Sequence, residues 1–242
     1  FYMKQLLISI FFILSVSVAN SQFSFTYNGR EYRVLKTSVF TDSTGKQYNY
    51  NEAMLVMMGG EYEILPANPK DASKGFLLSG ISREEQLKRA MAAPKPAETT
   101  AFKTGKKFDP FSAYDMKGNL VDTRQLKGKV LVINFWFTTC PPCKQERPYL
   151  NKIVDDYKSD SNIIFIAIAL DQKEQLEPYL KNNEFKYNVI PAGKKIADSY
   201  KITGYPTQVI VDKEGKVAFH TVSYYYVTDY WMRKTIDELK KS

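Results

Sequence analysis

The chain has few side chains that handle metals or electrons. Its 242 residues hold two cysteines, Cys140 and Cys143, and one histidine, His220. A four-ligand zinc site is short of donors on that inventory. A disulfide-stapled scaffold is also disfavoured: a chain of this size buries an adequate core unaided, and a bridge between Cys140 and Cys143 would close a tiny loop of small entropic value. The chain shows no basic helical stripe and no nucleic-acid-binding motif. The formal charge of +8 is spread over scattered lysines, with pairs such as Lys106-Lys107, Lys194-Lys195 and Lys240-Lys241, so nucleic acid is not expected as a partner. Internal repeats and low-complexity tracts are absent. The apolar run 6–18, at 13 residues, is too short for a comfortable bilayer span.

That run has another reading. Lys4 precedes it, and Ala19-Asn20-Ser21 follows with small residues at −3 and −1 before Gln22. This is the pattern of a secretory signal peptide over 1–21, with Met3 as the expected start. The alternative is an uncleaved segment anchored in the inner membrane. No cysteine lies near the cleavage site, which excludes a lipoprotein anchor. Either reading places the protein in the periplasm or another extracytoplasmic space, where disulfides persist.

Three further regions follow. Residues 22–92 read as a small β-rich domain. FSFTYNGREYRVL alternates around Asn28-Gly29, a strong hairpin signal, and Gly45 and Gly59-Gly60 punctuate further short strands. Ser82-Arg83-Glu84-Glu85 forms a capping box opening a helix over 83–92. Residues 93–107, with Pro94, Pro96, small residues and charges, read as a linker. Residues 108–242 change character. VLVINFWF and IIFIAIAL are apolar runs suited to strands buried on both faces, with a helix over 141–158 between them. A helix over 172–180, a strand pair at 208–212 and 217–222, and an amphipathic helix over 229–241 complete an α/β pattern.

The two cysteines sit in WFTTCPPCKQERP, after the first apolar strand and at the start of the helix. There, helix N-terminal amides stabilise a thiolate at Cys140, and the two-residue spacing lets Cys143 close a disulfide. Pro141 and Pro142 fit the first helical positions, where no donor is needed. In this reading Cys140 is the exposed attacking thiol and Cys143 the more buried resolving one.

This stretch resembles the thioredoxin superfamily, and more closely its TlpA-like branch of envelope thiol-disulfide oxidoreductases. The resemblance covers about 108–242. FSAYDMKGNLVDTRQLKGKVLVINFW matches the branch's leading strands, Gly204-Tyr205-Pro206-Thr207 its cis-proline loop, Pro148 the proline of the active-site helix and Trp136 the tryptophan beside the thiols. It implies a thioredoxin-like fold: a central mixed sheet flanked by helices, behind the small β-rich N-terminal domain. It implies a catalytic dithiol, Cys140 and Cys143, supported by Trp136, Glu146 and a cis Pro206. Substrate would lie against Pro141, Pro142, Tyr205 and Thr207. Glu146 reads either as a tuner of thiol protonation or as a solvated helix carboxylate. Thioredoxins proper carry a buried Asp where this chain has Asn134, which leaves Glu146 or a water to accept the proton.

The implied activity is thiol-disulfide exchange with envelope proteins, with no bound cofactor beyond the redox-active disulfide. Pro-Pro between the cysteines supplies no histidine to stabilise a thiolate. Strongly oxidising dithiols near about −120 mV depend on such stabilisation, whereas thioredoxin lies near about −270 mV, so the expected role is reductant. Such a reductant serves protein thiols and disulfides, including those of cytochrome c maturation, and needs a membrane electron donor. Four rival readings stand beside it: a disulfide-donating oxidant or isomerase, a Cu(I)-binding module, a thiol peroxidase, and an interaction protein. In the last, the tyrosines of the N-terminal region, Tyr48, Tyr50 and Tyr62 among them, and the run Tyr224-Tyr225-Tyr226 form a docking or homodimer surface. His220 reads as a packed or surface strand residue, and Met54, Met57 and Met58 as core filling.

Overall fold

A computed structural model describes residues 23–241; the expected signal or anchor segment lies outside the described residues. Two compact units divide them, the first comprising 23–57 and 61–82, the second 58–60 and 83–241.

The first unit begins with the hairpin expected at Asn28-Gly29. Strands β1 (Phe23–Tyr27) and β2 (Arg30–Val34) pair antiparallel, and both turn residues take positive φ, 49° and 76°, which suits Asn and Gly. Strands β3 (Phe40–Asp42) and β4 (Gln47–Tyr48) follow, then helix α1 (Tyr50–Met58), β5 (Tyr62–Pro66) and β6 (Phe76–Gly80). The sheet order is β4-β3-β6-β5. The region is β-rich as expected, but helix α1 stands where only short strands were expected. Its start is a reciprocal cap: Glu52 N–H donates to Asn49 Oδ1 at 3.0 Å and Asn49 N–H to Glu52 Oε2 at 2.9 Å. Met54 and Met57 pack on a core of Phe25, Tyr32, Phe40 and Phe76, so these two fill space as expected.

The second unit contains α2 (Arg83–Ala92), the hairpin β7 (Ser112–Tyr114) and β8 (Leu120–Asp122), then β9 (Val130–Trp136), α3 (Pro141–Tyr157), β10 (Ile163–Ala169), α4 (Lys173–Asn182), β11 (Asn188–Ile190), α5 (Lys194–Ser199), β12 (Thr207–Val211), β13 (Val217–Val222) and α6 (Tyr226–Lys241). Its five-stranded sheet has the order β11-β10-β9-β12-β13. β9, β10 and β11 run parallel, while β12 is antiparallel to β9 and β13. All seven residues of β9 are buried, as the unbroken apolar run requires of a central strand. One face of the sheet packs on residues of α3 and α6, the other on α5 and the Phe108–Tyr200 ring stack.

The units divide ahead of α2, so that helix belongs with the second unit rather than the first. Arg83 at its start donates to Asp229 of α6 at 3.1 Å. Nor do residues 93–107 hang free. They run as a strap beside β13: Gly105 N–H donates to Val217 O at 2.8 Å, Val217 N–H to Lys106 O at 2.9 Å, and Thr221 Oγ1 to Ala97 O at 3.1 Å. Phe102 enters the core against Phe108, Phe135 and Tyr200. The Pro-rich composition marks an absence of regular structure, and here that irregular chain is fastened along a sheet edge.

Candidate active site

The site is built where β9 ends. A turn closes at Phe137–Cys140, with Cys140 N–H donating to Phe137 O at 3.2 Å. Cys140 is then the N-cap of α3: its backbone is extended, and its Sγ accepts the Cys143 N–H at 3.2 Å. Pro141 and Pro142 take the first helical positions, exposed and half-buried respectively. Cys140 and Cys143 are joined as a disulfide with Cα atoms 5.3 Å apart. Both residues are almost wholly buried, at 2% and 4% exposure, which corrects the expectation of an exposed Cys140. Once bonded to Cys143, its sulfur lies inside the cluster that includes Trp136, with Phe137 and Tyr205 packed against it.

The second wall is the loop entering β12. The Tyr205–Pro206 peptide is cis, as the resemblance implied. Tyr205 is half-buried and meets Phe137 edge-on, ring centroids 5.4 Å apart. Thr207 is buried, and its hydroxyl donates to Gly204 O at 2.8 Å, so its side chain braces the loop from within. Trp136 packs against Phe185 and Tyr179 beneath the dithiol.

Glu146 resolves the two readings open for it. It is 1% exposed and lies one helical turn beyond Cys143, on the buried stripe Cys143, Glu146, Leu150, Ile153 and Tyr157. Gln208 Nε2 donates to its Oε2 at 2.7 Å. Burial pushes its carboxyl up to about 8, Asp229 adds to the rise, and the Gln208 hydrogen bond opposes it. The group is therefore held protonated at neutral pH, yet within reach of ionisation.

Sequence reasoning missed Gln208. The signal was present: TQVIV places an amide in an otherwise apolar strand, two residues after the cis-proline. Gln208 faces Asn134 in the β9–β12 ladder and Thr221 in the β12–β13 ladder, so three buried polar residues cross the sheet in one row beneath α3. Gln208 thereby ties the proline-loop strand to the cysteine helix. A second missed residue is Asp171, just beyond β10. Its Oδ2 accepts the Thr138 N–H at 2.8 Å and its Oδ1 the Thr138 hydroxyl at 2.6 Å.

His220 lies apart from this cluster on β13, fully buried, its Nδ1 accepting the Thr99 N–H of the strap at 3.0 Å. It is a packed residue.

This geometry has known counterparts. The AhpC/TSA family model matches residues 104–220. The thiol-disulfide oxidoreductase ResA of a Bacillus cereus strain is 34% identical over 123 residues, covering 50% of this chain and 70% of its own. The chain belongs to the TlpA-like branch of the thioredoxin superfamily. ResA of Bacillus subtilis (strain 168) is 30% identical over 108 residues, covering 44% of this chain and 60% of its own. A structure assigned as the thiol:disulfide interchange protein DsbE of Chlorobium tepidum aligns with a TM-score of 0.53 at 23% identity, over 57% of this chain and 98% of that one, a likeness of fold. This TlpA-like chain is thus a thiol-disulfide oxidoreductase. The family match begins at residue 104, beyond the first unit.

Proposed function

We propose that Cys140 and Cys143 are the catalytic dithiol and that the protein acts as a reductant of disulfides in proteins outside the cytoplasm. The observation that carries this reading is a disulfide whose first cysteine caps a helix, with a backbone N–H already directed at Cys140 Sγ. In the reduced protein that N–H and the helix terminus favour the Cys140 thiolate. The thiolate attacks a client disulfide, forming a Cys140–client bond and expelling the client's first thiolate, which takes a proton. Cys143 then loses its proton and attacks Cys140 Sγ. The intramolecular disulfide forms, the client's second thiolate leaves, and two electrons have passed to the client. The dithiol carries both electrons, so the reading needs no other cofactor.

Glu146 suits the second step. With a value of about 8, the carboxyl one turn from Cys143 is ionised in a minority of molecules at neutral pH, its own proton having passed to solvent; that carboxylate accepts the Cys143 proton on resolution and returns it when the disulfide is reduced again. Trp136 and Pro206 shape the surroundings of the sulfurs, Pro141, Pro142 and Tyr205 form the ground on which an extended client segment lies, and the buried Thr207 supports that ground from beneath rather than touching the client. Continued turnover requires an electron donor, which we assign to the membrane, and export through the segment 1–21. The resemblance to the TlpA-like branch and the Pro-Pro pair together favour a place in preparing thiols for cytochrome c maturation.

The test is capture. Cys143→Ala should hold Cys140 in mixed disulfides with client proteins, resolved by non-reducing electrophoresis; a variant that traps nothing while Cys140 is titratable sinks the exchange reading. The reduction potential then fixes direction. A value near about −270 mV supports the reductant role, and one near about −120 mV makes the protein a disulfide donor.

A further inference from the structure

We propose that Asp171 is a positioning residue for thiol-disulfide exchange, holding through Thr138 the turn that seats Cys140 opposite the proline loop. The proposal rests on the functional reading above and extends it to a residue outside the cysteine motif.

The turn has a weakness that Asp171 repairs. Its closing bond runs from Cys140 N–H to Phe137 O. Thr138, second in the turn, has its own N–H turned away from that bond, and a half-buried donor without a partner is costly. Asp171 meets it at 2.8 Å, and its other oxygen takes the Thr138 hydroxyl at 2.6 Å. Two bonds from one side chain onto one residue fix its orientation as well as its distance.

Asp171 is itself pinned. Leu170 N–H, one residue earlier, donates to Trp136 O at 3.0 Å, and Asp171 O accepts the Ala192 N–H at 2.8 Å. The clamp therefore joins the ends of β9 and β10 to the chain entering α5. On the other side of Thr138, Phe137 bears on the Tyr205 ring of the proline loop. Thr138 thus stands between the residue that touches the proline loop and the cysteine that attacks. Loss of its anchor loosens the spacing between the two, which matters to a substrate lying across both walls and little to a small disulfide that needs only the sulfur.

The experiment uses the reduced full chain in single-turnover exchange with two probes, a disulfide-bonded peptide and 5,5′-dithiobis(2-nitrobenzoate). Asp171→Ala should slow exchange with the peptide roughly ten-fold and with the small disulfide by less than about two-fold. Thr138→Val, which removes one arm and keeps the backbone arm, should slow the peptide by about three- to five-fold. Asp171→Asn keeps an acceptor for the N–H and offers an amide donor to the hydroxyl, so it should stay near wild type. Equal losses on both probes, or no loss on either, would overturn the positioning role, as would Asp171→Asn falling as far as the alanine variant. A wild-type protein inert towards both probes would sink the functional reading and this proposal together; an active wild type with unselective variants sinks this proposal alone.

Discussion

The two units solve the problem of a protein interior in opposite ways. The first is closed by aromatic rings: Phe25 on Tyr32 at 5.5 Å, Phe25 on Phe76 at 5.8 Å, Phe40 on Phe76 at 5.6 Å. Among the described residues, its buried set contains no charged or amide side chain. The second unit buries Asn134, Glu146, Gln208, His220 and Asp229. A buried polar group costs free energy unless it is paired, so an interior that accepts several is under a demand other than stability. The first interior is arranged for packing alone. In the second, Asn134, Glu146 and Gln208 lie in the interior behind the dithiol, while His220 and Asp229 are paired elsewhere, by the Thr99 N–H and by Arg83 and Arg233.

The contrast is broken most severely by opening a hole in the aromatic unit. Phe40 is wholly buried, and Phe40→Ala should cost about 3–5 kcal/mol in that unit, read as a lowered denaturant midpoint. A loss under about 1 kcal/mol would mean that its interior is not the close-packed one described.

The second unit should respond in the opposite sense to losing its buried acid. The ordinary value of Glu146 is 4.5 and its folded value about 8, so between those limits the folded state holds a proton that the unfolded state has released. Stability from this group is full below pH 4.5 and is lost as pH rises through about 8. By pH 7 the loss reaches about 3 kcal/mol, at about 1.36 kcal/mol per pH unit. Glu146→Gln keeps an acceptor for Gln208 and never ionises. It should therefore melt higher than wild type at pH 7, match it near pH 4, and resolve mixed disulfides more slowly. Parallel melting curves at both pH values would remove the carboxyl from this account.

His220 sharpens the comparison from the other sign of charge. Burial holds its imidazole below 6.5, although Glu98 pulls upward and Lys95 adds to the lowering. The folded state prefers the neutral ring, so this contribution is full above pH 6.5 and is lost as pH falls through that value towards the folded one. Protonation also removes the lone pair that accepts the Thr99 N–H. His220→Phe orphans that donor and should cost about 1–3 kcal/mol at pH 7, whereas His220→Asn should keep the bond and flatten the acid limb. An acid limb that survives both substitutions would belong to another group.

Much of the second unit was legible because its signals are local. A run such as VLVINFWF suits only a strand covered on both faces, and two prolines after a cysteine suit only a helix start. Helix α1 was not legible in that way: its apolar residues cluster as they would in a strand, and its start is marked only by Asn49 and Glu52, three positions apart. The site divides along the same line. Cys140 and Cys143 announce themselves by their spacing at a helix start, and Pro206 and Glu146 through the resemblance of short stretches to the TlpA-like branch. Gln208 and Asp171 act through partners 62 and 33 residues away, and only the folded chain brings them together. The burial of Cys140 was hidden for another reason, because it depends on the proline loop arriving from beyond residue 200.

The strap along β13 has a consequence for how clients are met. A protein that handles partly folded chains is surrounded by segments with unpaired backbone groups, and an open strand invites them to lengthen its sheet. Here residues 97–108 occupy the outer side of β13 over much of its length, and Met116 N–H takes up Val189 O on the opposite border at 2.9 Å. At Val217 and Val189 the outward backbone groups of the two border strands are thus already taken up by the chain's own segments.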